Sequence, residues 1–250
     1  MRIFKNVYDA VEETRRDLLV RGKTVDCNSY QDKLLVGEDR KVKELTGVSF
    51  IITNPLAKRF EALEDTFKQD AKRIEEYCIQ EAKDRTSGTP MNPGNSCKIR
   101  QDMWMKFQKD GKFAYTYSER LWRDFGDNQG QFKTVLDALR KDAGSRQAIV
   151  MLWHPDIDCK QDRLGGGQRV SCSISYQFMI RDGKLHCIYY MRSCSALEHF
   201  PIDLFAASEI MKWVTEQLQD TYPGLKVGDL HYMAGSLHAF NWNLKDWVVY

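Results

Sequence analysis

The alternation of apolar and polar positions is clearest over 170–180. There Val170, Cys172, Ile174, Tyr176, Phe178 and Ile180 fall in one phase. A period of two predicts a strand with one buried face. Arg181-Asp182-Gly183-Lys184 follows, and Asp-Gly between two such runs is a hairpin signal. Residues 185–191 return as the second strand. Arg192 and Ser193 come next, where the chain is expected to leave the sheet. Asp203 precedes an apolar helix predicted over 204–218, broken by Tyr222-Pro223-Gly224.

Elsewhere the period lengthens. Over 3–20, Ile3, Val7, Ala10, Val11, Leu18 and Leu19 recur at near-helical spacing, which predicts an amphipathic opening helix. Residues 23–46 predict one or two strands, and 46–52 a short strand stopped by Asn54-Pro55. Over 56–85, Phe60, Leu63, Phe67, Ile74, Tyr77 and Cys78 make the buried stripe of one long charged helix. The breaker-rich run 86–97 reads as a surface loop, and the aromatic-rich 104–122 as irregular. A helix over 132–139 and a strand over 148–153 follow. A polar loop over 158–168 and a further strand over 229–234 complete the pattern. No breaker run separates two cores, so 1–250 is expected to be one domain.

Composition narrows the classes. With 42% hydrophobic and 29% charged residues, the chain reads as globular. A net charge of +2 lacks the concentrated basic face that nucleic-acid binding needs. The seven cysteines are scattered, without a CxxC pair, so no metal centre is expected and the thiols read as reduced and cytoplasmic. The first residues are charged throughout and read as neither leader nor membrane span.

One short segment concentrates chemistry. A thiol, Cys172, lies on one strand; Arg192 and Ser193, suited to an anion, lie at the end of its neighbour; Asp203 follows. A nucleophile, a phosphate clamp and a polar reader together suit an enzyme that modifies a nucleotide. Cys187 and Cys194 have no such context and read as structural.

The stretch from Ser145 to Phe240 resembles the catalytic core of the thymidylate synthase family. The resemblance rests on Gly144-Ser145-Arg146, the Cys172 strand, Asp182-Gly183-Lys184-Leu185 and Arg192-Ser193. It continues through Phe200-Pro201-Ile202-Asp203, Val227-Gly228-Asp229 and Gly235-Ser236-Leu237-His238, in the family's order. It implies an α/β (α+β) fold, a mixed, largely antiparallel sheet backed by helices. It further implies a homodimer packed sheet to sheet, and 5,10-methylenetetrahydrofolate as cofactor. Cys172 would add to C6 of a pyrimidine and make C5 able to attack a one-carbon unit. Arg192 and Ser193 would hold the 5′-phosphate, with Arg146 reaching across the dimer. Tyr117 would be the active-site tyrosine, though it equally suits a half-buried aromatic. Glu75 and Glu76 are the candidates for the family's general acid/base glutamate.

Asp203 stands where thymidylate synthases carry Asn and phage deoxycytidylate hydroxymethylases carry Asp. A carboxylate only accepts, which matches the N4 amino group of cytosine. Asp203 also suits a helix N-cap. The expected reaction is therefore C5 hydroxymethylation of dCMP. C5 methylation, CMP as substrate, and a non-catalytic nucleotide-binding relative stand as alternatives. His238 and Phe240 resemble the pair on the ribose hydroxyl, with Phe240 lacking the phenol. Gln147 replaces a second arginine. On the folate side Ser195 replaces an Asp, His199 a Gly, and Arg100 stands where a tryptophan packs.

Overall fold

The computed structural model describes residues 1–30, 33–123, 125, 130–160 and 169–245. Most of the loop expected over 158–168 lies outside them. The chain opens with β1 (Arg2–Phe4), α1 (Val7–Arg21), β2 (Lys23–Asp26), β3 (Ser29–Tyr30) and β4 (Lys33–Leu34). The long β5 (Lys41–Ile52) leads to α2 (Arg59–Phe67) and α3 (Ala71–Arg85). Short helices α4 (Gln101–Trp104) and α5 (Tyr117–Trp122) precede α6 (Gln131–Lys141), β6 (Ile149–Met151) and α7 (Pro155–Asp158). The hairpin β7 (Ser173–Arg181) and β8 (Lys184–Ser195) follows. Then come α8 (Phe200–Gln217), β9 (Lys226–Phe240) and α9 (Asn241–Lys245).

Seven of these strands form one sheet in the order β1-β5-β9-β8-β7-β6, with β2 also paired to β5. The β1–β5 and β8–β9 pairs are parallel and the other four are antiparallel. The mixed, mostly antiparallel sheet is the one expected. Its inner face carries Tyr176, Phe178, Tyr189 and Tyr232, all fully buried against α8 and its neighbours. Twelve of the eighteen residues of α8 are buried, which makes it the central helix of the layer. The outer face keeps large apolar side chains exposed, among them Ile149, Tyr190 and Met233.

Several elements differ from their sequence pattern for identifiable reasons. The 56–85 helix is two helices, because Lys68 adopts a left-handed φ of 51° and turns the chain without a Gly or Pro. The β8 and β9 strands run well past the apolar stretches that signal them, pairing from Lys184↔Lys226 to Ser195↔His238. Arg192 and Ser193 therefore sit inside a strand, not at its exit. Their polarity serves a cavity and hides the strand's period. The hairpin turn is as expected, with Asp182 and Gly183 both left-handed. A bulge between Ser173 and Ser175 breaks the β7 alternation. It shifts the phase upstream, so Ser173 is buried and Cys172 lies just before the strand rather than on it.

Candidate active site

A single cavity collects most of the chemistry. It lies between the start of β7, the last turns of α3, the residues Met191–Ser195 of β8, and the first turn of α8. The residues 94–118 close it. Cys172, Tyr117, Ser193, Ser195 and Asp203 all line it.

Cys172 is fixed by β8. Arg192 N–H donates to Cys172 O at 2.9 Å, its Nε donates to Ser171 O at 2.7 Å, and its Nη2 lies 3.8 Å from Cys172 Sγ. The guanidinium thus holds the backbone beside Cys172 as well as facing its sulfur. Burial pushes the Cys172 thiol above its ordinary value, while Arg192 and Arg169 pull it down. The resting sulfur is therefore not a depressed thiol: desolvation outweighs the two cations.

Tyr117 opens α5, whose start is fixed by a capping box between Thr116 and Glu119. Its hydroxyl accepts from Ser173 N–H at 3.2 Å, and its ring lies under the Arg85 guanidinium at 4.3 Å. Asp203 lies in the first turn of α8, which starts at Phe200, so Asp203 is not the N-cap; His199 holds that position. Cys194 Sγ donates to Asp203 Oδ2 at 3.5 Å. Enclosure in the fold pushes Asp203 up to about 7, against the opposing charge of Arg85.

The glutamate of the cavity is Glu81, not Glu75 or Glu76. Those two lie one to two turns earlier on α3 and do not line it. Glu81 accepts from Arg85 Nε at 2.9 Å and from Ser96 Oγ at 2.6 Å. Arg85 is buried and also donates to Tyr176 Oη at 3.0 Å. Sequence reasoning missed both. The signal available was the i, i+4 Glu-Arg pair at the end of a helix, which on sequence alone looks like a solvated face.

The remaining candidates lie outside the cavity lining. His238 on β9 is half-buried, 3.3 Å from Ser236 Oγ, and desolvation beside Arg192 pushes it down to about 4. Phe240 is buried and stacks on Trp242 at 4.3 Å, with Tyr30 at its edge, so it packs rather than faces a ligand. Arg146 is exposed on the turn before β6 and does not reach the cavity of its own chain. Arg100 is buried beside Tyr77, its guanidinium 5.2 Å from that ring.

At the other side of the cavity, Trp104 and His199 stack 6.1 Å apart and 17° from parallel. Trp104 Nε1 and His199 Nε2 are buried without a hydrogen-bond partner among the described residues. Two flat rings with two unmatched ring nitrogens fit a planar heteroaromatic group with a polar edge, such as a pterin. Away from the cavity, His186, Asp229 and His231 bring ligand atoms within 4.8 Å of one another, though His186 Nδ1 already accepts from Asp229 N–H.

A strand-flanked thiol, an arginine across it and a carboxyl on the next helix give the site a nucleophile candidate, a cation and a polar reader. The comparisons agree with that class. The thymidylate synthase family model matches residues 86–247. A Methanosarcina acetivorans relative named "Putative thymidylate synthase" is 27% identical, over 93% of this chain and 90% of its own. A Francisella philomiragia thymidylate synthase is 26% identical, over 61% of this chain and 56% of its own. Among solved structures, thermostable thymidylate synthase A of Bacillus subtilis superposes with a TM-score of 0.66 at 15% identity, covering 96% and 81% of the two chains. The thymidylate synthase of T4 phage gives 0.66 at 21%, covering 94% and 77%.

The chain belongs to the thymidylate synthase family. That places it among the folate-dependent one-carbon transferases acting at C5 of pyrimidine nucleotides.

Proposed function

We propose that this protein hydroxymethylates dCMP at C5, with 5,10-methylenetetrahydrofolate as one-carbon donor. The observation that carries the reading is Asp203: the side chain at the base-reading position is a carboxyl, inside the cavity that also holds Cys172. A carboxylate accepts from cytosine N4–H. Once Cys172 has added to C6 and N3 has gained a proton, it accepts from N3–H as well. The contact therefore strengthens along the reaction, as catalysis requires.

The residues divide the work. Cys172 forms the bond to C6, and Arg192 offsets the charge on its sulfur as the thiol loses its proton. The Arg192 Nη1, which makes no hydrogen bond among the described residues, is available to the 5′-phosphate beside Ser193. Glu81, held by Arg85 and Ser96, is the group that moves protons near the base. Tyr117, anchored at Ser173 N–H, packs its ring against Arg85. Trp104 and His199 would hold the pterin, which when bound supplies the one-carbon unit, with Ser195 near them. We assign a homodimer in which the exposed apolar sheet face is buried and Arg146 completes the partner's phosphate site. Among the described residues no helix is long and apolar enough to cross a membrane.

A second reading is methylation of dUMP, favoured by the names of the relatives. Paired kinetics decide. Tritium release from C5 of dCMP should exceed that from dUMP, and product mass should show a hydroxymethyl group. Preference for dUMP with a methyl product would replace the first reading by the second. Cys172→Ser should abolish release while leaving dCMP affinity within about tenfold, ~1.4 kcal/mol. Near-full turnover in that variant would remove Cys172 as nucleophile.

A further inference from the structure

Cys194 reads as a structural thiol in the sequence, yet it lines the cavity. It is 3% exposed, and its Sγ lies 3.5 Å from Asp203 Oδ2. Among the described residues this is the side-chain hydrogen bond made to the Asp203 carboxyl. The groups acting on Asp203 come from every element around it. Helix α3 presents Cys78, Glu81 and Arg85; the mouth presents Tyr117 and Cys172; the sheet presents Tyr176, Tyr189, Cys194 and Tyr232. Burial holds the tyrosines and thiols in their neutral forms. The charged groups, Glu81 and Arg85, are bonded to each other, so each screens the other's effect.

We propose that Cys194 is a positioning residue that sets the base preference of Asp203. Its S–H···O contact biases whether the carboxyl meets the base as two acceptors or as one donor and one acceptor. The proposal rests on the pyrimidine-transferase reading above. Its chemistry follows from counting donors. Free cytosine presents N3, an acceptor, and N4–H, a donor, which a carboxylic acid matches. As Cys172 adds to C6, N3 takes the carboxyl's proton, so the adduct presents N3–H and N4–H to an ionised carboxylate. The uracil adduct presents N3–H and an enolate-like O4, a donor and an acceptor, which a carboxylic acid matches and a carboxylate does not. Each adduct with its carboxyl therefore carries the same number of protons, and the two differ in which group keeps one. The Cys194 thiol donates to the ionised carboxylate, so it favours the cytosine adduct.

The test is deuterium exchange at C5 of dCMP and of dUMP, followed by NMR without folate between about pH 5.5 and 8.5. In each cycle the Cys172 S–C6 bond forms and C5 takes a deuteron from solvent. C5 then loses its proton and the S–C6 bond breaks, restoring thiol and nucleotide. Titrations common to both nucleotides, those of Cys172 and of the phosphate included, cancel in the ratio of the two rates. With equal proton counts in the two adducts, the dCMP:dUMP ratio should stay level with pH in each protein. Cys194→Ala should lower that ratio about threefold. Cys194→Ser, a stronger donor of similar size, should raise it. Opposite changes in the ratio are not what a loss of packing produces. One ratio shared by all three proteins, or changes in the same direction in both variants, would overturn the proposal and leave the transferase reading standing. Exchange from neither nucleotide would remove both.

Discussion

Asp203 carries a cost as well as a role. Its folded value of about 7 lies above that of an ordinary carboxyl. Between roughly pH 4 and 7 the native state holds a proton there that the unfolded state has lost. Stability therefore falls as pH rises through that window, by at most about 1.4 kcal/mol per pH unit. Asp203→Asn should remove this slope. Urea midpoints should separate in favour of the variant as pH rises towards 7; parallel curves would show that the carboxyl titrates normally. Glu81 supports a second expectation. Glu81→Gln should cut turnover about a hundredfold or more, while Glu75→Gln and Glu76→Gln leave it within about twofold, measured by tritium release. Equal losses in all three would return the role to the helix as a whole. The carboxyl, the thiol and the arginine of this site were legible because they fall in ordered motifs. Glu81 and Arg85 were not, because a helical Glu-Arg pair gives the same letters whether it faces solvent or a buried cavity.

The β8–β9 pair shows what alternation reveals and what it hides. Its polar residues Arg192, Ser193, Ser236 and His238 break the period of two, so each strand looks short in the sequence. The parallel pairing becomes visible only when Ser193 meets Ser236. Close approach is built in there: a Cβ on Gly235 would meet Arg192 O at 2.9 Å. Gly235→Ala should force the strands apart, cost ~1–3 kcal/mol and loosen the hold of Arg192 on Cys172. Gly183 in the hairpin turn is a fitting contrast. Its φ of 69° makes Gly183→Ala cost about 1–2 kcal/mol, but a Cβ there meets nothing. Denaturation should register both variants, whereas tritium release per folded molecule should fall only for Gly235→Ala. The bulge at Ser173/Ser175 has no sequence mark at all, since Val-Ser-Cys-Ser-Ile-Ser continues the alternation through it. It is the partner strand that sets the phase.

The whole chain extends well beyond the stretch that the family model matches. The family match begins at residue 86, yet Tyr77, Glu81 and Arg85 reach the cavity from before it. The first 85 residues give β1 and β5 to the sheet and set α3 against α8. Packing of this kind constrains apolar volume and phase more than it constrains the individual residue. Association is the property that reads across the entire molecule. Tyr190 and Met233 are 39% and 45% exposed on the outer sheet face. Replacing both with Asp should yield a monomer by sedimentation and abolish turnover. Mixing an Arg146→Ala protein with a Cys172→Ser protein should restore activity neither has alone, because one combined site is then intact. Silence on mixing would remove Arg146 from the partner's site.

The enclosed Cys172 also bears on chemical durability. Peroxide and alkylating reagents attack thiolates, and a sulfur held as thiol by burial offers them little. Exposed Cys159 should be oxidised well before Cys172 in the resting protein. A nucleotide whose arrival draws off the thiol's proton would then arm and endanger the sulfur at once. Compounds meant to trap this enzyme should therefore succeed by imitating the pyrimidine, and general thiol reagents should spend themselves elsewhere on its surface.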